Sequence, residues 1–244
     1  MKTSPRRIII FGNVTLLLLL AFASGVSAQA NESSTSSISS GSSQPPTEGI
    51  QKRDNEWGIW GGISFDSPTL IGTTPNARLG NVGLRYGRVL AASKTVAFEW
   101  TIDAVPLTIF SQDKVVAIAT PTGFDITKER KSVYGWGAAP IGLKFNFRRN
   151  RRVQPFGHAT GGFLYFSSQV PDVSSPLALP PPGTSGTSQF NFTFDFSGGV
   201  QIVNSNRRSF TIGYKYQHIS NGNTGSFNPG VDVQMIFAGF SVFR

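Results

Sequence analysis

The feature that most limits the fold of this chain is a period-two alternation of apolar and polar residues, which occurs in most of eight strand-like stretches. In the clearest of them, phenylalanine occupies every second position from Phe190 to Phe196, and polar residues occupy the positions between. Such alternation is typical of a β-strand with one apolar face, and no stretch of comparable length has the period of an amphipathic helix. The sequence therefore predicts an all-β protein. The predicted strands are Glu56–Phe65, Gly80–Leu90, Thr95–Val105, Val133–Phe147, Val153–Ser168, Gln189–Val203, Ser209–Ser220 and Val231–Phe243.

The connections between these strands alternate strictly between long and short. The long ones are Asp66–Leu79, Pro106–Ser132, Gln169–Ser188 and Asn221–Gly230, and the short ones are Ala91–Lys94, Arg148–Arg152 and Asn204–Arg208. A barrel that crosses a membrane has short turns at one end and longer external loops at the other, whereas a soluble sandwich has no reason for strict alternation. The sequence therefore predicts an eight-stranded antiparallel transmembrane β-barrel with its aromatic faces toward lipid.

Several polar residues have the opposite parity and are predicted to face the lumen. They include Glu99, Asp103, Asp195 and His158. We expect the acidic residues to pair with Arg85 or Lys144, and His158 to pack or to form a hydrogen bond there. An eight-stranded barrel is filled by its own side chains, so these residues do not indicate a pore.

The first thirty residues have the organisation of a secretory signal peptide. Lys2, Arg6 and Arg7 precede an apolar run, and Ala28-Gln29-Ala30 fits the small-residue pattern of a signal peptidase site. An uncleaved membrane anchor is the alternative, but polar residues interrupt an apolar segment that is already short for a spanning helix. We therefore expect residues 1–30 to be a signal peptide and the protein to be exported.

Composition divides the rest of the chain into a leader and one domain, and it limits the chemistry that the protein can use. Residues 31–54 are rich in Ser, Gly and Pro, which predicts a disordered leader, and residues 55–244 are predicted to form one barrel domain. The chain has 22 basic residues, 13 acidic residues and no cysteine, which excludes disulfides and a cysteine nucleophile. No P-loop, H-E-x-x-H or EF-hand pattern occurs, so we expect no cofactor and no metal. The basic surplus is compatible with an anionic membrane surface, and export argues against nucleic acid as a partner.

Three residues near the end of the chain form a candidate catalytic set. His218 and Ser220 lie two residues apart at the end of the seventh predicted strand, and Asp232 follows twelve residues after the serine. A hydroxyl nucleophile, an imidazole base and a carboxylate that orients the base are the groups that serine-type acyl transfer requires. Asn221 and the backbone N–H groups of the Gly222–Asn223 turn are candidates for stabilising the oxyanion.

Side-chain parity predicts that this set lies on the outside of the barrel. His218 and Ser220 share parity with the apolar positions of the seventh strand, and Asp232 shares parity with those of the eighth. Because the last long loop joins these strands, the three side chains should meet at the external, lipid-facing rim, provided that no bulge intervenes. The alternative is that His218 and Asp232 are interfacial polar residues bonded to loop backbone. Three such residues on one face favour a catalytic site.

The H-x-S-N element at His218–Asn221, the following N-P-G turn and the acidic residue at Asp232 resemble the PagL-type lipid A 3-O-deacylases. In that family an outer-membrane barrel carries a His-Ser-Glu triad on its outer face and removes the 3-O-linked acyl chain of lipid A. The resemblance implies that His218 is the base and Ser220 the nucleophile. Asn221 then stabilises the oxyanion, and Asp232 is the acid where the family carries a longer glutamate. It further implies a serine esterase of the bacterial outer membrane that acts on lipopolysaccharide in the outer leaflet. Whether the protein forms a homodimer stays open from the sequence.

Two other functions stay open from the sequence. A non-catalytic barrel would bind a partner through its external loops, of which Pro106–Ser132 and the proline-rich segment 171–182 are the most distinctive. An acyltransferase would form the same acyl-serine intermediate and pass the chain to another acceptor, so analysis of the products separates it from an esterase.

Overall fold

The computed structural model of the protein describes residues 49–172 and 186–244. In this part of the chain, eight antiparallel strands form a closed barrel in which each strand pairs with the next and the first pairs with the last. The strands are β1 (Asn55–Asp66), β2 (Arg78–Ala92), β3 (Val96–Thr120), β4 (Gly123–Phe147), β5 (Val153–Val170), β6 (Ser188–Val203), β7 (Arg208–Ser220) and β8 (Val231–Phe243). The predicted eight-stranded barrel is confirmed. Within the described residues there is no helix that is long and apolar enough to span a membrane.

The predicted signal peptide, residues 1–30, and most of the predicted leader lie outside the described residues. The last residues of that leader, 49–54, are described and pack against the end of the barrel where β1 starts and β8 ends. Ile50 is buried there in a small apolar cluster with Val89, Ala97 and Phe243.

Alternate residues of each strand point to the outside and to the lumen of the barrel. On β6 the outward positions Phe192 and Phe196 are exposed, while Asn191, Thr193 and Asp195, at the alternate positions, are buried. The other strands repeat this arrangement in the body of the barrel, so the outer surface there is apolar and aromatic. An apolar outside around a polar inside is the arrangement of barrels that lie in lipid.

Charged pairs fill the lumen. The buried contacts are Arg85–Asp103 (2.7 Å), Lys144–Glu56 (2.6 Å), Lys144–Glu99 (3.5 Å), Lys215–Asp195 (3.0 Å) and the hydrogen bond between Thr101 and His158 (2.8 Å). The predicted lumen positions are confirmed, with Lys215 as the partner of Asp195. Because a buried charge without a partner is costly, removal of one member of such a pair would destabilise the barrel.

The prediction that Pro106–Ser132 is a long loop is wrong, because this segment forms regular β-structure. β3 continues to Thr120 and β4 begins at Gly123, so the strands form a hairpin that extends past the body of the barrel. Pro106 suggests a strand end because proline has no N–H for the ladder. The chain accommodates this residue in a bulge, where the register of β3 with β4 shifts between Val105 and Thr108.

Candidate active site

His218 and Asp232 lie directly opposite each other on the neighbouring strands β7 and β8. His218 Nδ1 and Asp232 Oδ1 are 2.6 Å apart, and both side chains are buried. Opposite residues of an antiparallel pair have Cβ atoms about 5 Å apart, so an aspartate is long enough to reach the imidazole. The side chain of Asp232 is one methylene shorter than the glutamate that the resemblance implies, and it still reaches His218.

This pair lies on the outer side of the barrel, as side-chain parity predicts. The pairing of β7 with β6 and with β8 is continuous, so no bulge changes the parity along either ladder. His218 keeps the outward parity of Phe210 and Tyr214, which are both exposed. The His218 side chain is nevertheless buried, and the ring of Phe194 packs against it with 5.0 Å between the ring centroids.

Ser220 is the last residue of β7 and follows His218 on the same outward face, where it is half-buried. It lies opposite Phe192 of β6, so aromatic surface borders it on that side. Close by, Gly230 leaves room for the imidazole: a Cβ at this position would lie 3.1 Å from His218 Cε1. Among the described residues the Ser220 hydroxyl has no hydrogen-bond partner. The structure thus joins Asp232 to His218 and leaves the Ser220 hydroxyl beside them without a hydrogen bond to His218.

The second carboxylate oxygen of Asp232 is held by the β1–β2 loop, residues 67–77. Oδ2 accepts hydrogen bonds from the backbone N–H groups of Leu70 (2.8 Å), Ile71 (2.7 Å) and Gly72 (3.0 Å). Successive N–H groups that converge on one oxygen form a backbone site for an anion. The sequence does not predict the role of these three residues, because the interaction uses their backbone N–H groups and no residue type in the loop indicates it.

Asn221 organises the β7–β8 loop, residues 221–230. Its Nδ2 donates to the carbonyl oxygen of Phe227 at 2.9 Å, and its Oδ1 accepts from the N–H of Asn223 at 2.9 Å. One amide hydrogen of Asn221 and the Asn223 N–H are therefore used within the loop. The N–H of Gly222 has no acceptor in the described part of the chain. The role of Asn221 in stabilising an oxyanion stays a prediction.

The second half of the chain matches a known protein family. The model of the lipid A 3-O-deacylase (PagL) family matches residues 119–241, which include His218, Ser220 and Asp232. The chain belongs to this family. Membership of the PagL family indicates a hydrolase that removes an acyl chain from lipid A, the lipid anchor of lipopolysaccharide in the bacterial outer membrane.

Three solved structures are similar to this member of the PagL family. The outer membrane enzyme PagL is 16% identical, with a TM-score of 0.46 over 76% of this chain and 97% of that one. The outer membrane protein OprG from Pseudomonas aeruginosa is 14% identical, with a TM-score of 0.47 over 80% and 98%. Neisserial surface protein A is 14% identical, with a TM-score of 0.40 over 78% and 96%. No curated protein sequence matches the chain.

The geometry around His218 suits proton transfer at one nitrogen of its ring. When Nδ1 carries the hydrogen that is donated to Asp232, Nε2 is left with a free electron pair and can act as a base. Ser220 is the hydroxyl that lies two residues away on the same face. Within residues 49–172 and 186–244, no three His, Asp or Glu side chains are grouped as ligands for a metal ion. The described groups suit acyl transfer through the serine.

Proposed function

We propose that the protein is a serine esterase of the outer membrane that hydrolyses the 3-O-linked acyl chain of lipid A. The observation that carries this proposal is the 2.6 Å contact between His218 Nδ1 and Asp232 Oδ1 on the outer face, two residues from Ser220. A serine nucleophile on the outer face of a barrel meets substrates that lie in the surrounding lipid. The ester of an outer-leaflet lipid is such a substrate, and family membership supports the same substrate.

The proposed reaction has two steps. His218 Nε2 takes the proton of the Ser220 hydroxyl while the serine oxygen attacks the ester carbonyl carbon. The bond from that carbon to the sugar 3-oxygen then breaks, and the leaving oxygen receives the proton from His218. Water, deprotonated by the same nitrogen, hydrolyses the acyl-Ser220 ester and releases a free 3-hydroxy fatty acid. Asp232 keeps Nδ1 protonated and stabilises the imidazolium that forms in each step.

The negative charge on the carbonyl oxygen needs donors during both steps. The candidates are the N–H of Gly222 and the second amide hydrogen of Asn221, both beside Ser220 at the start of the β7–β8 loop. Donors of this kind lower the barrier because they are already oriented when the charge develops. In the same proposal residues 1–30 are the signal peptide, residues 31–54 the leader, and the apolar outer surface of residues 55–244 spans the outer membrane.

Mass spectrometry of lipid A tests the function directly. Cells that express the wild-type protein should contain lipid A lighter by one ester-linked 3-hydroxyacyl chain, together with the free fatty acid. Ser220→Ala and His218→Ala should leave lipid A intact while the barrel still folds. Ser167→Ala is a matched control, because Ser167 is an exposed serine on β5 with outward parity and no catalytic partner in the proposal. Deacylation by Ser220→Ala would refute the proposed mechanism, and transfer of the chain to another lipid would identify an acyltransferase.

A further inference from the structure

We propose that the β1–β2 loop is a positioning element of the active site, which holds the acid of the triad through its backbone and thereby orients the base. The inference rests on the proposed function, because it assigns the loop a role in the same reaction. Its residues do not touch the reacting atoms: they act through Asp232 on His218.

The two oxygens of Asp232 have separate tasks. Oδ1 meets His218 Nδ1, and Oδ2 accepts the N–H groups of Leu70, Ile71 and Gly72 at 2.7 to 3.0 Å. A carboxylate held only by the imidazole could rotate about its own side-chain bonds. Three successive backbone donors restrict that rotation, and they also compensate for the removal of the charge from water. Asp232 is 0% exposed although its parity points outward, so this compensation is needed.

The loop is itself tied to the β7–β8 loop and to the start of β8. The Thr73 N–H donates to the carbonyl oxygen of Pro229 at 2.6 Å, and the Ser67 hydroxyl donates to the carbonyl oxygen of Asp232 at 2.7 Å. Gly72 lies against Gly230, and a Cβ at Gly72 would come within 2.6 Å of the Gly230 carbonyl carbon. Backbone cannot move aside as a flexible side chain does, so this contact requires glycine at position 72.

The same loop presents apolar side chains to the outside. Leu70 is 70% exposed and Ile71 is 59% exposed, while the N–H groups of both residues point to Asp232. Side chain and backbone of these residues therefore face different surroundings. Truncation of the side chain keeps the N–H donor, and replacement of the residue by proline removes it. This separation makes the role of the backbone testable.

The first test uses glycine. Gly72→Ala should push the loop away from Gly230, displace the three donors and lower kcat about 10- to 100-fold, with KM changed less than twofold, because small displacements of catalytic groups have effects of this size. Gly80→Ala is the matched control: it lies at the start of β2, and its Cβ would meet nothing closer than 3.9 Å. Heat-dependent electrophoretic mobility verifies that each barrel is folded.

The second test removes a single donor and is decisive if Gly72→Ala fails to fold. Leu70→Pro removes one N–H from Oδ2, whereas Leu70→Ala keeps it and only shortens the exposed side chain. We expect a loss in kcat of about tenfold for the proline variant relative to the alanine variant. In a double-mutant cycle, Leu70→Pro should have no further effect on kcat when Asp232→Asn is already present, because the loop acts through that carboxylate.

The outcomes separate this inference from the proposed function. If Ser220→Ala is active, the proposed function itself fails. If Ser220→Ala is inactive but Gly72→Ala and Leu70→Pro keep their rates within twofold of their controls, only the role of the loop is refuted. A loss in kcat that is equally large in the presence of Asp232→Asn would also refute it, because the loop would then act by another route.

Discussion

Replacement of Asp232 by asparagine perturbs the proposed triad with little change in shape. Asparagine has the size of aspartate, so its carbonyl oxygen can still accept the N–H groups of Leu70, Ile71 and Gly72. Its NH₂ group is then turned toward His218, where the wild-type structure has an acceptor 2.6 Å from Nδ1. Two donors cannot share that contact, so Nδ1 must lose its hydrogen. The hydrogen moves to Nε2, and the nitrogen that should accept the serine proton is blocked.

The size of the effect follows from the same contact. Loss of the correct tautomer and of the charge that stabilises the imidazolium lowers kcat by about 10⁴-fold in serine triads, or about 5 kcal/mol of transition-state stabilisation. Because Asp232 is fully buried and has no direct access to lipid substrate, KM should change little.

The assay is the rate of fatty acid release from purified lipid A by the folded protein in detergent micelles. Asp232→Asn should show this loss in kcat, while its unfolding midpoint in urea should shift only slightly from that of the wild type. A kcat within tenfold of the wild type would refute the reasoning, because His218 would then work without an oriented acid. A comparable loss of kcat in Ser167→Ala, which changes an outward polar residue away from the site, would show that the assay reports general damage to the barrel.

Three further predictions concern other parts of the molecule. Lys215→Met should lower the free energy of unfolding in urea by about 3 to 5 kcal/mol, because it leaves Asp195 buried without its cation. The control Lys128→Met, at an exposed position of the hairpin, should show almost no change in the same measurement. Asn221→Ala should lower kcat by about 10²-fold or more if its amide stabilises the oxyanion, and fatty acid release measures this; an unchanged kcat would remove Asn221 from the mechanism. Replacement of residues 115–128 by an Asn-Gly turn should shorten the β3–β4 hairpin and leave deacylation intact, which mass spectrometry of lipid A measures. Loss of deacylation in a folded barrel would favour a function that depends on the hairpin.

The strands and the faces of the site could be predicted because both depend on a local rule. Side chains alternate with a period of two, so the exposed Phe192 and the buried Asp195 can be assigned to opposite faces from the sequence. The same rule carries from Tyr214 to His218, because the ladders of β7 are free of bulges. The direct pairing of His218 with Asp232 depends on register, which the length of the loop between the strands limits but does not determine.

The β3–β4 hairpin and the contacts of the β1–β2 loop could not be predicted in this way. At Pro106 the local preference for ending a strand competes with the pairing of two long neighbours, and the bulge resolves the conflict in favour of pairing. Around Gly72 the decisive groups are backbone N–H donors, which every residue except proline has. Their convergence on Asp232 is produced by the path of a loop about 160 residues earlier in the chain.

Covalent labelling of the nucleophile tests the central claim most directly. The folded protein in micelles is treated with a long-chain fluorophosphonate, which reacts with activated serine hydroxyls, and the labelled peptide is identified by mass spectrometry. The account predicts one adduct on Ser220, with labelling that falls sharply in His218→Ala and in Asp232→Asn. Full deacylase activity in a protein whose Ser220 stays unlabelled, or an adduct on another serine that abolishes activity, would contradict it.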